Sequence, residues 1–87
     1  MRVFCLFRPN TDTERSVTEL TAEMKRRYNA VLECISMDTK EGANLAELYD
    51  ILHYPAVVAV DSNGIMQKIW SDGQLPLMNE LQYYIQQ

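Results

Sequence analysis

The sequence has little of the material from which metal, nucleotide and catalytic sites are built. It contains two cysteines, one histidine and three glycines among its 87 residues. Three scattered glycines do not form a phosphate-binding loop. One histidine with two distant cysteines does not make a zinc site, and no nucleophile stands in a recognisable catalytic elbow. We therefore expect neither a metal nor a cofactor.

Positive charge and long apolar runs are also scarce. Eight lysines and arginines stand against twelve acidic residues, which gives a net charge of −4. Nucleic acid and anionic membranes are therefore poor partners. No apolar run approaches the ~20 residues of a membrane span, and the first run lacks the length and cleavage site of a signal peptide. Because both cysteines stand in apolar surroundings, which suits a reducing compartment, we expect a cytoplasmic protein.

What is present is typical of one ordinary folded domain. Apolar residues make up 47% of the chain and charged residues 23%. These fractions argue against disorder, and the length matches one small domain that covers residues 1–87. No linker, internal repeat or low-complexity segment divides the chain.

Hydrophobic periodicity predicts an α/β order, β-α-β-α-β-β-α. The predicted strands cover 3–7, 30–37, 56–60 and 65–70, and the predicted helices cover 13–28, 41–52 and a segment that starts near Pro76. The run "VFCLF" is continuously apolar, as in a strand that is covered on both faces. Asn63-Gly64 supplies the positive φ angles that a tight hairpin between the last two strands needs.

Each predicted helix has one apolar face. These faces comprise Val17, Leu20, Thr21, Met24 and Tyr28 in the first helix, Leu45, Leu48, Tyr49 and Leu52 in the second, and Leu77, Met78, Leu81, Tyr84 and Ile85 in the third. Strands 1 and 3 are the most apolar and should be central, whereas strands 2 and 4 carry polar residues and should be edges. With a right-handed crossover between strands 1 and 2, the expected sheet order is 2-1-3-4 with helices on both faces.

This topology, together with "HYPAVVAVDSNGIMQKIW", resembles the thioredoxin-like fold in its compact, glutaredoxin-sized form. The resemblance covers nearly the whole chain and implies a cis peptide bond before Pro55. It also implies that a redox pair would stand where strand 1 meets helix 1, in "FRPNTDTE". Laid on that pattern, Thr11 and Glu14 occupy the two cysteine positions.

Thr11 and Glu14 are vestigial active-site positions in this interpretation. A redox cysteine at a helix N-terminus acts because backbone N–H groups and the helix dipole stabilise its thiolate, and a threonine hydroxyl cannot exchange disulfides. The pair has the spacing of a capping box. We expect the Thr11 oxygen to accept from the N–H of residue 14, and the Glu14 carboxylate to accept from the N–H of residue 11.

The two cysteines that the chain does contain offer an alternative. Cys5 and Cys34 lie in the middle of strands 1 and 2, so we expect both to be buried, protonated and inert. The competing hypothesis is a redox protein that uses Cys5 or Cys34 as a single thiol, or an enzyme of unrecognised type.

A possible binding surface surrounds the proline before strand 3. The resemblance implies that the backbone of Tyr54, beside Pro55, pairs with an extended peptide. His53 is expected as a partly exposed residue at a helix end near the same groove. Trp70 ends an edge strand and is a possible interface anchor, and Tyr83 and Tyr84 are further aromatic candidates for a binding surface. In glutathione-using relatives, charged residues after strand 4 hold the tripeptide, and "SDGQ" offers only Asp72.

The sequence therefore predicts a redox-inactive thioredoxin-like domain that acts as a protein or peptide interaction module. The partner would bind near Thr11, Tyr54 and Pro55, or along the edge of strand 4. We expect a monomer or a weak homodimer.

Overall fold

The computed structural model describes residues 1–72 and 74–86, and it contains one four-stranded sheet and three helices. In chain order the elements are β1 (Arg2–Phe7), α1 (Asp12–Tyr28), β2 (Glu33–Ser36), α2 (Lys40–Leu48), β3 (Ala56–Val60), β4 (Met66–Trp70) and α3 (Met78–Ile85). The sheet order is β2-β1-β3-β4, with β1 and β2 parallel and the other pairs antiparallel. The predicted fold class and strand order are confirmed. Within these residues, no helix is long and apolar enough to cross a membrane.

The two central strands divide the apolar side chains between two cores. All five residues of β3 are buried, and so are the four residues 3–6 of β1. Because side chains alternate along a strand, Cys5 and Val57 face the core beneath α1 and α3, while Phe4 and Val58 face the core beneath α2. The sheet is thus covered on both faces, as its apolar runs predict.

The second strand and the second helix are shorter than predicted. β2 begins only at Glu33, although Ala30 and Leu32 before it are buried. These two side chains pack into the core beneath α1 although their backbone does not belong to the strand. They are apolar because they are buried, and the sequence pattern does not distinguish this from strand pairing.

The predicted apolar face of α2 is wrong at its end. The helix stops at Leu48 because Asp50 adopts a left-handed conformation with φ of 57°. Ile51 then donates from its backbone N–H to the Ala46 carbonyl at 2.8 Å and fills the core. As a consequence Leu52 is 76% exposed.

Leu48 lies within the helix and is 70% exposed because the buried face is formed by Gly42 and Ala46, with Leu45 and Tyr49 packed beside them. Leu77 is exposed because it is the N-cap of α3 and not part of its buried face.

The predicted capping box at α1 is also wrong. Thr11 is the N-cap residue, but its hydroxyl makes no capping bond and instead donates to the Arg8 carbonyl at 2.8 Å. The Glu14 carboxylate accepts from the N–H of Asn10, at 2.6 Å, and not from Thr11. Asn10 has a φ of 63°, and this left-handed turn presents its N–H to the first turn of the helix.

A side-chain cap does occur at α2. The Thr39 hydroxyl accepts from the Gly42 N–H at 3.0 Å. Gly42 lets this end of the helix approach the sheet, because a Cβ there would overlap the backbone carbonyl of Ser36. The helix start is therefore held both by a cap and by close backbone packing.

The two threonine N-caps give a matched test. Thr39→Ala should lower the free energy of unfolding by about 1 kcal/mol, since it removes a working cap. Thr11→Ala should lower it by less than about 0.5 kcal/mol, because that exposed hydroxyl satisfies no helix N–H group. Urea unfolding of both variants, with Thr39→Ser as the conservative control, measures the difference. A Thr11→Ala loss as large as that of Thr39→Ala would contradict the capping geometry.

Candidate functional site

A groove of about 840 Å³ opens at one end of the sheet. The register places the end of β1, the start of β3 and the end of β4 side by side there, since Leu6 pairs with Ala56 and Val57 pairs with Trp70. The lining residues come from these three places: Arg8, then Leu52, His53 and Tyr54, then Lys68, Ile69, Trp70, Ser71 and Asp72.

The loop before β3 projects its side chains into the groove because it is fixed at both ends. Ile51 and Pro55 are buried, and the residues between them bulge outward. Leu52 and His53 are exposed, while the Tyr54 hydroxyl donates to the Ile51 carbonyl at 3.1 Å and thereby holds its ring. The Tyr54–Pro55 peptide bond is cis. Among the residues that the structure describes, the backbone N–H and C=O of Tyr54 make no hydrogen bond.

A second wall of the groove belongs to β4. Lys68 and Trp70 are two residues apart and project from the same face of the strand. An irregularity in the pairing with β3 lies just before them, between Ala59 and Val60, and moves Met66 to the other face. The rings of Tyr84 and Trp70 pack edge to face with their centroids 5.5 Å apart, and this contact holds the indole in place.

Each wall carries a cation on an aromatic ring. The Arg8 guanidinium lies 4.9 Å from the centre of the Tyr54 ring, and the Lys68 ammonium lies 5.8 Å from that of Trp70. In the described part of the chain neither group forms an ion pair. Asp72 is the acidic residue of the lining, and its carboxylate accepts from the Gln74 N–H at 3.2 Å.

The two positions that were predicted to be vestigial lie apart from this groove. Thr11 and Glu14 stand at the start of α1 and line a separate depression of about 460 Å³ with Arg15, Thr18 and Glu19. The structure therefore brings His53, Tyr54 and Trp70 together but does not add Thr11 to them. Pro55 is buried and shapes the loop without lining the groove.

The cysteines differ from one another, so the expectation that both are buried is wrong for Cys34. Cys5 is buried in the core, and burial, with the neighbouring Cys34 as a smaller contribution, raises its pKa to about 12. Cys34 is exposed because α1 does not fully cover the edge strand β2. Its Sγ lies 3.0 Å from the Thr21 hydroxyl oxygen, beside an apolar groove of about 390 Å³ between α1 and β2.

His53 is likewise not at a helix end, since α2 stops five residues earlier, and it belongs to the loop. Sequence reasoning missed Arg8, Leu52 and Lys68 as groove residues. A signal was present for Lys68, because a lysine two residues before a tryptophan on one strand must share its face. No such signal exists for Leu52, whose exposure depends on where the helix ends.

Comparison with known proteins supports the fold alone. No protein-family model matches the chain, and no curated protein matches it significantly in sequence. Among solved structures, thioredoxin 1 from the thermophilic eubacterium Thermosipho africanus matches with a TM-score of 0.66 and 12% identity, over 99% of this chain and 91% of that one. A structure described as that of a malarial protein matches with a TM-score of 0.65 and 13% identity, over 97% and 91% of the two chains. Together with the strand order and the helices on both faces, these likenesses show that the chain has a thioredoxin-like fold.

Proposed function

We propose that this protein is a redox-inactive interaction module that binds an extended segment of a partner protein in the groove beside Tyr54. The observation that carries the proposal is the unpaired backbone of Tyr54 at the groove wall. An extended peptide can add its own N–H and C=O groups to such a backbone, as in strand addition. The same peptide would satisfy polar groups that otherwise bond only to water.

The rest of the groove suits the side chains of such a segment. Leu52, Tyr54 and Trp70 offer apolar surface, and aromatic residues are the usual anchors of protein interfaces. The large apolar side chain of Leu52 is exposed to water. Its burial against a partner would therefore contribute favourably to the free energy of binding. Tyr54 and Trp70 are already held by Ile51 and Tyr84, so little conformational entropy is lost on binding.

The start of α1 supports the redox-inactive part of the proposal. Thr11 and Glu14 occupy the region where a redox pair would stand, and neither side chain forms a thiolate. The acidic residues Asp12 and Glu14 in the first turn also complement the helix dipole that would otherwise stabilise a thiolate. The groove would therefore hold its partner without exchanging disulfides with it.

Location and assembly form part of the same proposal. An exposed free thiol such as Cys34 persists most readily in a reducing compartment, which favours the cytoplasm. The net charge of −4 disfavours nucleic acid and anionic membrane as partners. We propose a monomer or a weak homodimer that engages one protein segment.

The test uses random octapeptides displayed as a library and passed over the immobilised protein. We expect retention above the empty matrix, and we expect Leu52→Ser to reduce it severalfold. Leu48→Ser is the matched control, because Leu48 is almost as exposed but does not line the groove. Its retention should equal that of the original protein.

The contrary results are equally clear. Retention no greater than that of the empty matrix would refute peptide binding altogether. An equal loss in the two leucine variants would mean that peptides adhere to exposed apolar surface in general, and the groove would not be a binding site.

A second candidate function rests on the exposure of Cys34. A single accessible thiol could form a mixed disulfide, whereas Cys5 is buried and remains protonated at neutral pH. The thiol lies on the edge strand beside α1 and not at a helix N-terminus. Electrostatic activation of the thiolate by a helix dipole is therefore not available to it.

Insulin reduction distinguishes the two candidates, after thiol labelling has shown which cysteine is accessible. Near neutral pH the native protein should react with an aromatic disulfide reagent at one thiol, and Cys34→Ser should abolish that reaction. Cys5 should react only after unfolding, because burial keeps its pKa near 12. With dithiothreitol, the protein should reduce insulin no faster than dithiothreitol alone. An acceleration that Cys34→Ser removes would favour the single-thiol function instead.

A further inference from the structure

We propose that the groove selects acidic peptide segments, with Arg8 and Lys68 as the residues that recognise the carboxylates. This inference rests on the proposed function and adds the chemistry of the partner to it. The two cations come from different parts of the groove lining, Arg8 after the end of β1 and Lys68 on β4. Acidic side chains of one extended segment could therefore meet both.

The position of the two cations over aromatic rings supports a role in recognising carboxylates. A cation over an aromatic ring is held in place by the ring quadrupole, and its outward N–H groups stay free for an acceptor. The Tyr54 ring packs against the core beneath α2, and the Trp70 ring packs against the core beneath α1 and α3. Both cations are thus positioned by rings that the fold itself anchors.

Among the described residues Arg8 and Lys68 have no ion pair, and in this they resemble Arg15, Lys25 and Lys40. What distinguishes them from these three is that each lies over an aromatic ring of the groove lining. A carboxylate from a partner would supply the charge-assisted hydrogen bonds that the chain itself does not provide.

The lining of the groove carries more positive than negative side chains, although the whole chain is negatively charged. The lining contains Arg8 and Lys68 against the single acidic residue Asp72, while the net charge of the protein is −4. Salt screens exposed charges beyond a Debye length of about 8 Å at physiological ionic strength. At close range an acidic peptide therefore meets the two cations, and the distant acidic residues affect it little.

The groups that line the groove suit a peptide better than a phosphate polyanion. The unpaired Tyr54 backbone and the exposed Leu52 offer hydrogen bonds to a peptide chain and a contact for an apolar side chain. Neither feature is needed to hold phosphates, so a nucleic acid in the groove would leave both of them unused. The occupant that uses all of these groups is an extended segment with acidic and apolar side chains.

The experiment reads the composition of the octapeptides that the immobilised protein retains. At physiological salt we expect the retained pool to be enriched in aspartate and glutamate over the input library. The variant that combines Arg8→Gln with Lys68→Gln should retain peptides without this enrichment. The control is Lys25→Gln, which removes one positive charge from the last turn of α1, a helix about 25 Å long that begins near Arg8. Its pool should remain acidic.

A single synthetic peptide then gives the magnitude. The most enriched octapeptide is made with a dye label, together with a counterpart in which glutamine and asparagine replace the acids. Fluorescence anisotropy should show weaker binding of the neutral counterpart. Arg8→Gln and Lys68→Gln should each raise the Kd of the acidic peptide by about three- to fivefold, the range of a partly exposed ion pair.

The possible outcomes distinguish the acidic selectivity from the peptide-binding function on which it rests. Retained peptides without acidic enrichment, still lost in Leu52→Ser, would leave the peptide-binding function intact and overturn the acidic selectivity. An equal effect of Lys25→Gln would show either attraction by charge in general or binding in the groove between α1 and β2, which Lys25 lines, and would also overturn it. Tighter binding of a labelled oligothymidylate than of the acidic octapeptide would replace the peptide by a phosphate polyanion. No retention of any peptide would refute the function itself.

Discussion

The complete burial of β3 is the constraint on which the rest of the structure depends. Its five residues lie between β1 and β4 and contribute side chains to both cores. A strand buried on both faces needs helices on both faces, and the two crossovers of this chain supply them. Because β3 runs antiparallel to both neighbours, its first residues meet the ends of β1 and β4, and the groove forms at that point.

The walls of the groove are held in place by packing against the two cores. Tyr54 packs against the core beneath α2, and Trp70 packs against the core beneath α1 and α3. The aromatic rings hold Arg8 and Lys68, so these cations are positioned without an ion pair to any residue that the structure describes. In the proposed function, the same packing that stabilises the sheet would also hold the binding surface in place, and a preformed surface loses less entropy when a partner binds.

The elements that could be predicted from the sequence are those that a repeating pattern specifies. The apolar runs of β1 and β3, the polar residues of β2 and β4 and a right-handed crossover predict the sheet order without any knowledge of contacts. The hairpin between β3 and β4 was also predicted, although of its Asn63-Gly64 pair only Gly64 has a positive φ. The errors occur where one residue with a left-handed backbone redirects the chain. Asp50 ends α2 and exposes Leu52, and Asn10 changes the partner of Glu14. Such residues leave no periodic signal when they are not glycine. The exposure of Cys34 could not be predicted because it depends on how far α1 overlaps the edge strand.

The central claim is that a partner segment binds between Arg8, Tyr54 and Trp70, and amide NMR of the labelled protein tests it most directly. A retained octapeptide is titrated into the protein, and the shifts of each backbone amide and of the single indole N–H are followed. Peptide binding at the groove should shift the amides of residues 8, 52–54 and 68–72 and the Trp70 indole, with little change at the end of α1. Shifts concentrated instead around Thr21 and Cys34 would place the binding site between α1 and β2 and would contradict this account.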